Sequence, residues 1–118
     1  HLSEDGSIVL VSGAPARRAK PGQAAIASVG GAVEQFVRAV TAELAPKRIN
    51  VVSPGVIDTP MFGNDADARA KMLGGATAKN LIPRAGTPEE VAEGIMFVVK
   101  NDFVTGTIID VDGGWILS

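Results

Sequence analysis

The sequence has no cysteine and no tyrosine, and its single histidine is His1. Without cysteine, the chain has no disulfide, no thiolate metal ligand and no cysteine nucleophile. Without tyrosine, and with a histidine only at a terminus that we expect to be disordered, few side chains are left for proton transfer near neutral pH. We therefore expect no metal site, and the cysteine content is typical of a cytoplasmic protein.

Membrane and nucleic-acid partners are not indicated either. No apolar run approaches the ~20 residues of a membrane-spanning helix, and no charged segment followed by an apolar one marks a signal peptide. The formal net charge is −2, and the eleven Lys and Arg are scattered. Arg17, Arg18 and Lys20 come closest to a cluster, which we interpret as a solvated loop rather than the basic stripe of a nucleic-acid binder. Because the first methionine is Met61, we expect that processing or truncation has removed a beginning.

Three short apolar runs predict β-strands. They span residues 7–12, 48–53 and 107–112, and each one stops at a glycine or at Pro54-Gly55. In residues 7–12 the hydrophobic residues are continuous rather than alternating with polar ones, which is typical of a strand covered on both faces in a parallel sheet. We interpret residues 48–53 as a second buried strand.

Two segments have the period of amphipathic helices. Residues 24–45 carry an apolar stripe with Glu34, Arg38 and Glu43 largely off it, and Pro46 ends the helix. The stripe consists of Val33, Phe36, Val37, Val40 and Leu44. Residues 88–100 follow Thr87 as the N-cap, with Glu90 completing a capping box. Their stripe consists of Val91, Ile95, Met96 and Val99.

The long segment 56–86 separates the second strand from the second helix. Within it we predict a short helix over 65–73, capped by Asn64 with Asp67 and broken by Gly74-Gly75. A loop of this length is usually functional. The order strand, helix, strand, long loop, helix, strand predicts one α/β domain over residues 1–118, with a parallel sheet flanked by helices.

Four segments, in this order, resemble the carboxyl-terminal half of a short-chain dehydrogenase/reductase. They are 6–12 (GSIVLVS), 48–60 (RINVVSPGVIDTP), 84–92 (RAGTPEEVA) and 105–114 (TGTIIDVDGG). The resemblance implies a three-layer Rossmann-like fold, of which the chain supplies the last three strands, with helices 24–45 and 88–100 on opposite faces. It also implies binding of NAD or NADP, provided that the amino-terminal half with the glycine-rich pyrophosphate turn is present.

The resemblance implies that three catalytic positions are substituted. In similar enzymes a serine holds the substrate oxygen, a tyrosine transfers the proton, and a lysine lowers the tyrosine pKa and holds the ribose. These positions fall on Gly13, Ile26 and Gly30. We expect the three residues to leave an apolar, roomier pocket where a proton donor would sit. We therefore assign no catalytic residue to this chain.

Other positions keep the family's pattern. Pro54, Gly55, Ile57 and Thr59 match the stretch that, in relatives, meets the nicotinamide carboxamide through backbone groups and a hydroxyl, and we predict cofactor contact there. We interpret Arg84 as a surface loop residue. Trp115 is expected in the core or in a subunit interface.

These observations favour an oxidoreductase-family protein with a degenerate active site, acting on a small molecule that the sequence does not identify. The alternative is a non-catalytic binding or assembly subunit that keeps the fold for its interfaces. A third possibility is an enzyme whose acid is relocated to Lys20 or to a residue of the missing half. We expect association with that half or with further copies of the chain.

Overall fold

The computed structural model describes residues 2–118, so the expectation for His1 lies outside the described residues. Strands β1 (Ser7–Val11), β2 (Arg48–Pro54) and β3 (Ile108–Val111) form one parallel sheet in the order β1-β2-β3. The helices are α1 (Ala24–Leu44), α2 (Ala66–Thr77) and α3 (Pro88–Lys100). Short 3-10 turns occupy Ala14–Ala16, Pro60–Phe62 and Trp115–Leu117. The predicted α/β fold with a parallel sheet is confirmed.

The sheet is covered on both faces. Successive side chains of the central strand β2 point to opposite faces, and each face packs against a different helix. Ile49 and Val51 pack in one core cluster with Val37 of α1. On the other face, a Cβ built on Gly94 of α3 would lie 3.7 Å from Val52. Helices α1 and α3 therefore lie on opposite faces of the sheet, as the family resemblance implies.

The buried face of α1 differs from the predicted stripe at two positions. Phe36 is 55% exposed, whereas Glu34 is only 6% exposed. Glu34 is buried because it follows Gly30 by one helical turn on the side that faces the loop after β1. A hydroxyl and a guanidinium from that loop contact its carboxylate.

The amino end of α3 has the predicted capping box. The Glu90 N–H donates to the Thr87 hydroxyl at 3.3 Å, and the Glu90 carboxylate accepts from the Thr87 N–H at 2.8 Å. The predicted stripe is wrong at Met96, which is 43% exposed, because the sheet-facing side of α3 runs through Gly94 and Val98 instead.

Two buried polar residues of β2 fix the end of α3 and the start of β3. The Arg48 guanidinium donates to the carbonyl oxygens of Val98 and Val99 at 2.7 and 2.8 Å. These carbonyls lie in the last turn of a helix and have no partner within the helix. The Asn50 amide oxygen accepts from the Thr107 N–H at 3.1 Å. Arg48 and Asn50 thus tie α3 and β3 to the central strand.

Helix α2 is longer than predicted. It continues through Gly74-Gly75 to Thr77, and its N-cap is Asp65, which accepts from the Ala68 N–H at 2.8 Å, instead of Asn64 with Asp67. Each glycine costs a helix about 1 kcal/mol relative to alanine. Burial of Leu73 and Thr77 offsets that cost, since both side chains are at most 3% exposed.

No helix within residues 2–118 combines the length and the hydropathy that crossing a membrane requires.

Candidate functional site

The three parallel strands have their carboxyl ends on the same side of the sheet. We call this side the carboxyl edge; it is where ligands bind in open parallel α/β folds. The backbones following β2 and β3 approach each other closely at this edge. A Cβ built on Gly55 would lie 2.7 Å from the Asp112 Cα, so only glycine fits there. The Gly55 N–H also donates to the Val111 carbonyl at 3.0 Å, which locks the segment after β2 in place.

Of the four residues predicted to contact a cofactor, Pro54 ends β2, and the other three lie in this locked segment. Ile57 forms a parallel bridge with Gly86, in which the Gly86 N–H donates to Val56 and the Gly86 carbonyl accepts from Asp58, both at 2.9 Å. The N–H and the carbonyl of Ile57 itself form neither of these two hydrogen bonds. Within residues 2–118, neither group makes a hydrogen bond, and neither does the half-buried Thr59 hydroxyl. The segment therefore presents one donor, one acceptor and one hydroxyl at the sheet edge.

Gly13 and Gly30, the positions that the family resemblance assigns to a serine and a lysine, lie beside this segment. A Cβ built on Gly13 would be 3.8 Å from the Pro54 carbonyl oxygen, and one on Gly30 would be 3.7 Å from the Gly13 nitrogen. Ile26, which the resemblance assigns to the tyrosine position, is 58% exposed in the first turn of α1. The fold therefore brings Gly13 and Gly30 together, with Pro54 beside them.

The space beside these two glycines differs from the roomier pocket that we expected. At Gly13 the nearest atom to a built Cβ is 3.6 Å away, an ordinary contact that a serine tolerates. At Gly30 the built Cβ would lie only 2.9 Å from the Ala16 Cβ. The expectation is wrong at Gly30 because Ala16 fills the room that a lysine stem would need.

A polar network that the sequence reasoning missed lies next to this position. The Ser12 hydroxyl donates to the Glu34 carboxylate at 2.9 Å, and the Arg17 Nε lies 3.4 Å from the same carboxylate. Arg17 also donates to both carboxylate oxygens of Asp110 on β3, once at 2.9 Å. The hydrogen bonding to Asp110, together with the negative charges of Asp110 and Glu34, raises the pKa of Arg17 above its usual value. The available signal was the four-residue spacing that places Glu34 and Gly30 on one helix face.

Arg84 and Trp115 lie near the same edge. Arg84 is exposed and donates to the Glu90 carboxylate at 2.9 Å, which fits its interpretation as a surface loop residue. Trp115 is 6% exposed, as expected for a core residue, and its indole N–H donates to the Arg18 carbonyl at 3.3 Å. The Lys20 ammonium stacks 3.7 Å from the centre of the indole ring.

Residues 2–118 contain no group of three or more His, Cys, Asp or Glu side chains placed to hold a metal ion.

Known proteins resemble the chain over nearly its whole length. The family model described as Enoyl-(Acyl carrier protein) reductase matches residues 1–116. The short-chain dehydrogenase/reductase ATR9 of Stachybotrys chlorohalonatus is 41% identical over 108 residues, which cover 92% of this chain and 43% of that protein. A cyclopentanol dehydrogenase of Comamonas testosteroni is 41% identical over 116 residues, or 93% of this chain and 45% of that protein.

The fold resembles solved structures equally well. The crystal structure of a small-chain dehydrogenase in complex with NADPH superposes with a TM-score of 0.91 at 34% identity, covering 99% of this chain and 54% of that one. The chain thus spans less than half the length of the two curated relatives named above, and about half of this solved chain.

Proposed function

Since the chain belongs to the short-chain dehydrogenase/reductase family, we propose that it supplies the nicotinamide-facing part of an NAD(P)-binding oxidoreductase. The proposal rests on the Ile57 N–H, the Ile57 carbonyl and the Thr59 hydroxyl after the central strand, which have no hydrogen-bond partner within residues 2–118. A nicotinamide, when bound, supplies or accepts a hydride. The role of this chain's residues is to orient it.

The groups present fit a carboxamide. An amide side group has a carbonyl acceptor and an NH₂ donor. The Ile57 N–H and carbonyl are complementary to these two groups, and the Thr59 hydroxyl can serve as either donor or acceptor. Gly55 keeps the segment rigid through its close approach to Asp112. The cofactor contact of Pro54, Gly55, Ile57 and Thr59 therefore stands as part of the proposal.

We further propose that proton transfer by the family's serine, tyrosine and lysine is lost in this protein. Gly13 has no hydroxyl, Ile26 has no titratable group, and Gly30 has no ammonium to hold a ribose or lower a pKa. A general acid must lie within hydrogen-bonding reach of the reacting oxygen. Lys20, the relocated acid considered for this chain, stacks over Trp115 instead.

One observation favours a second candidate, a non-catalytic protein that keeps the fold for binding or assembly. A single loss of the lysine would leave a gap beside Gly30, whereas Ala16 occupies that space. The packing around the position is thus complete without a lysine. The two candidates differ in the upstream sequence, because an intact glycine-rich turn there favours cofactor use and a broken one favours the structural role.

Calorimetric titration of the complete protein with NADH and NADPH tests the proposed cofactor segment. We expect saturable binding of at least one dinucleotide, weakened about three- to ten-fold by Thr59→Val, which removes one hydrogen-bonding group. The control, Thr41→Val, removes a hydroxyl near the opposite end of α1 and should leave the affinity unchanged. Failure of the complete protein to bind either dinucleotide would refute the proposal in favour of the structural candidate.

A further inference from the structure

A positively charged pocket lies between the loop after β1, the end of α2 and the carboxyl-terminal turn. Its walls include Arg18, Lys20, Lys79, Asn80, Trp115 and Ser118, and we call it the Trp115 pocket. Its cavity volume of about 450 Å³ falls in the range of roughly 300–1,000 Å³ that is typical of small-molecule sites.

The charged side chains that line the Trp115 pocket are all of one sign. Arg18, Lys20 and Lys79 contribute three cations, and no Asp or Glu is among the described residues that line the walls. None of these cations forms an ion pair with a carboxylate anywhere within residues 2–118. The chain as a whole has a net charge of −2, so the excess is local. A concave wall of one charge sign concentrates the electric field and attracts ions of the opposite sign.

Two of the cations are held in place before any ligand arrives. The Arg18 guanidinium donates to the Trp115 carbonyl at 2.9 Å and to the Ser118 hydroxyl at 3.3 Å, both through one terminal nitrogen. The Trp115 indole N–H donates to the Arg18 carbonyl, and the Lys20 ammonium stacks on the face of the indole ring. The remaining guanidinium N–H groups stay free of partners within the described residues, and a guanidinium carries five donors in all. Little side-chain freedom is therefore lost when an anion binds.

We propose that the Trp115 pocket binds a small organic oxyanion, a carboxylate or a phosphate monoester, whose charged group lies among Arg18, Lys20 and Lys79. The carbon skeleton of the ligand packs against the apolar part of the wall, which Gly75, Ala76 and Ala78 provide at the end of α2. None of the residues that line this pocket belongs to the cofactor segment after β2. Its occupancy requires no redox chemistry.

Calorimetric titrations of the complete protein with phenyl phosphate, benzoate and benzyl alcohol test the proposal. We expect saturable binding of at least one of the two anions and none of the neutral alcohol. Phosphate and carboxylate arms show which oxyanion the pocket prefers, and either preference supports the proposal. Saturating NADPH should leave the anion affinity unchanged, whereas competition by NADPH would overturn the assignment of a separate site.

Two variants locate the binding. Lys79→Gln should weaken anion binding roughly five-fold, since it removes one charge-assisted contact. Lys79 makes no hydrogen bond through its side chain within residues 2–118, so its loss should not disturb folding. The matched control is Lys71→Gln, the same charge change at an exposed position of α2 outside the pocket. Equal losses for both variants, equal binding of the neutral alcohol, or no binding at all would each overturn the proposal.

Discussion

Gly30, the position that the family resemblance assigns to a lysine, packs tightly against Ala16. The contact between a Cβ at position 30 and the Ala16 Cβ would be 2.9 Å. Real Cβ atoms do not approach one another so closely, and neither of these two atoms belongs to a flexible end of a side chain. The close packing of the loop after β1 on α1 therefore depends on glycine at position 30.

Alanine substitutions at the two adjacent glycines of α1 test this packing. Gly30→Ala should lower the free energy of unfolding, because overpacking costs about 1–3 kcal/mol and exceeds the helix-propensity gain of about 1 kcal/mol. Gly31→Ala is the matched control, since nothing lies within 4 Å of a Cβ there, and it should stabilise the helix. Thermal and urea unfolding measure both changes, and equal stabilisation by the two variants would contradict the account.

Restoration of the family's residues follows the same logic. The variant Gly13→Ser/Ile26→Tyr/Gly30→Lys should be destabilised, whereas adding Ala16→Gly should recover stability by removing the clash. If cofactor binding is intact, we expect carbonyl reduction to appear only with the fourth substitution. Comparable stability and activity of the triple and quadruple variants would contradict this expectation, because they would show that the loop after β1 moves aside for a lysine at position 30 without loss of stability.

The family resemblance predicted that positions 13 and 30 belong to one site, and the structure brings Gly13 and Gly30 together, because the spacing along a strand and a helix determines which backbone positions meet. The sequence missed Ala16 and the burial of Glu34 for a physical reason. Both depend on how the loop after β1 folds back on α1, and that loop has no periodicity from which its path follows. The hydrogen bond from Ser12 to Glu34 and the ion pair between Arg17 and Glu34 are tertiary contacts of the same kind.

At the scale of elements, capping chemistry was more informative than the apolar stripes. The capping box of Thr87 and Glu90 was predicted from the order of residues alone, because its two hydrogen bonds are local. The stripe predictions failed at Phe36 and Met96, which lie at the borders of the buried faces of α1 and α3. Helix α2 continues through Gly74-Gly75 because Leu73 and Thr77 are buried against residues outside the helix, and the local sequence does not show this burial.

The amino end of α3 gives stability a defined pH dependence. The bond from Arg84, followed by the Thr87 N–H, lowers the pKa of Glu90 to about 2 from 4.5. The folded-state pKa is depressed, so this contribution is fully present above pH 4.5 and is lost as the pH falls toward 2. As the pH falls from 4.5 to 2, the free energy of unfolding of the wild type should therefore decrease by more than that of Glu90→Gln. Identical acid profiles for the two proteins would contradict the assigned pairing.

The cap itself has a separate test. Thr87→Ala should reduce the free energy of unfolding by about 1 kcal/mol, the usual cost of losing an N-cap side chain. Thr87→Ser keeps the hydroxyl and serves as the matched control. Urea denaturation distinguishes the two, and an equal loss in both variants would show that the hydroxyl bond to the Glu90 N–H contributes nothing.

At the scale of the whole molecule, one edge of the sheet and one helix face are open. Within the described residues β1 pairs only with β2, and Val11 is 53% exposed. Ile26, Val29 and Phe36 of α1 are each more than half exposed. An apolar strand with unpaired backbone groups is a template for association with another chain.

We expect residues 1–118 by themselves to associate or to lack a cooperative fold, and to bind neither NADH nor NADPH, because the glycine-rich turn is absent from them. Sedimentation equilibrium combined with thermal unfolding measures the first property, and dinucleotide titration followed by Trp115 fluorescence measures the second. A monodisperse monomer that melts cooperatively at low concentration would contradict the first expectation. Saturable binding with a micromolar constant would contradict the second.

We propose that this protein retains the family's cofactor segment and has lost the family's proton-transfer residues. The most direct test follows NADH and NADPH oxidation by the complete protein with a panel of ketones, at dinucleotide concentrations that calorimetry shows to be saturating. The account predicts a bound dinucleotide without turnover. Turnover at a typical enzymatic rate of about 10 per second would contradict it, and would mean that a residue other than those at positions 13, 26 and 30 transfers the proton.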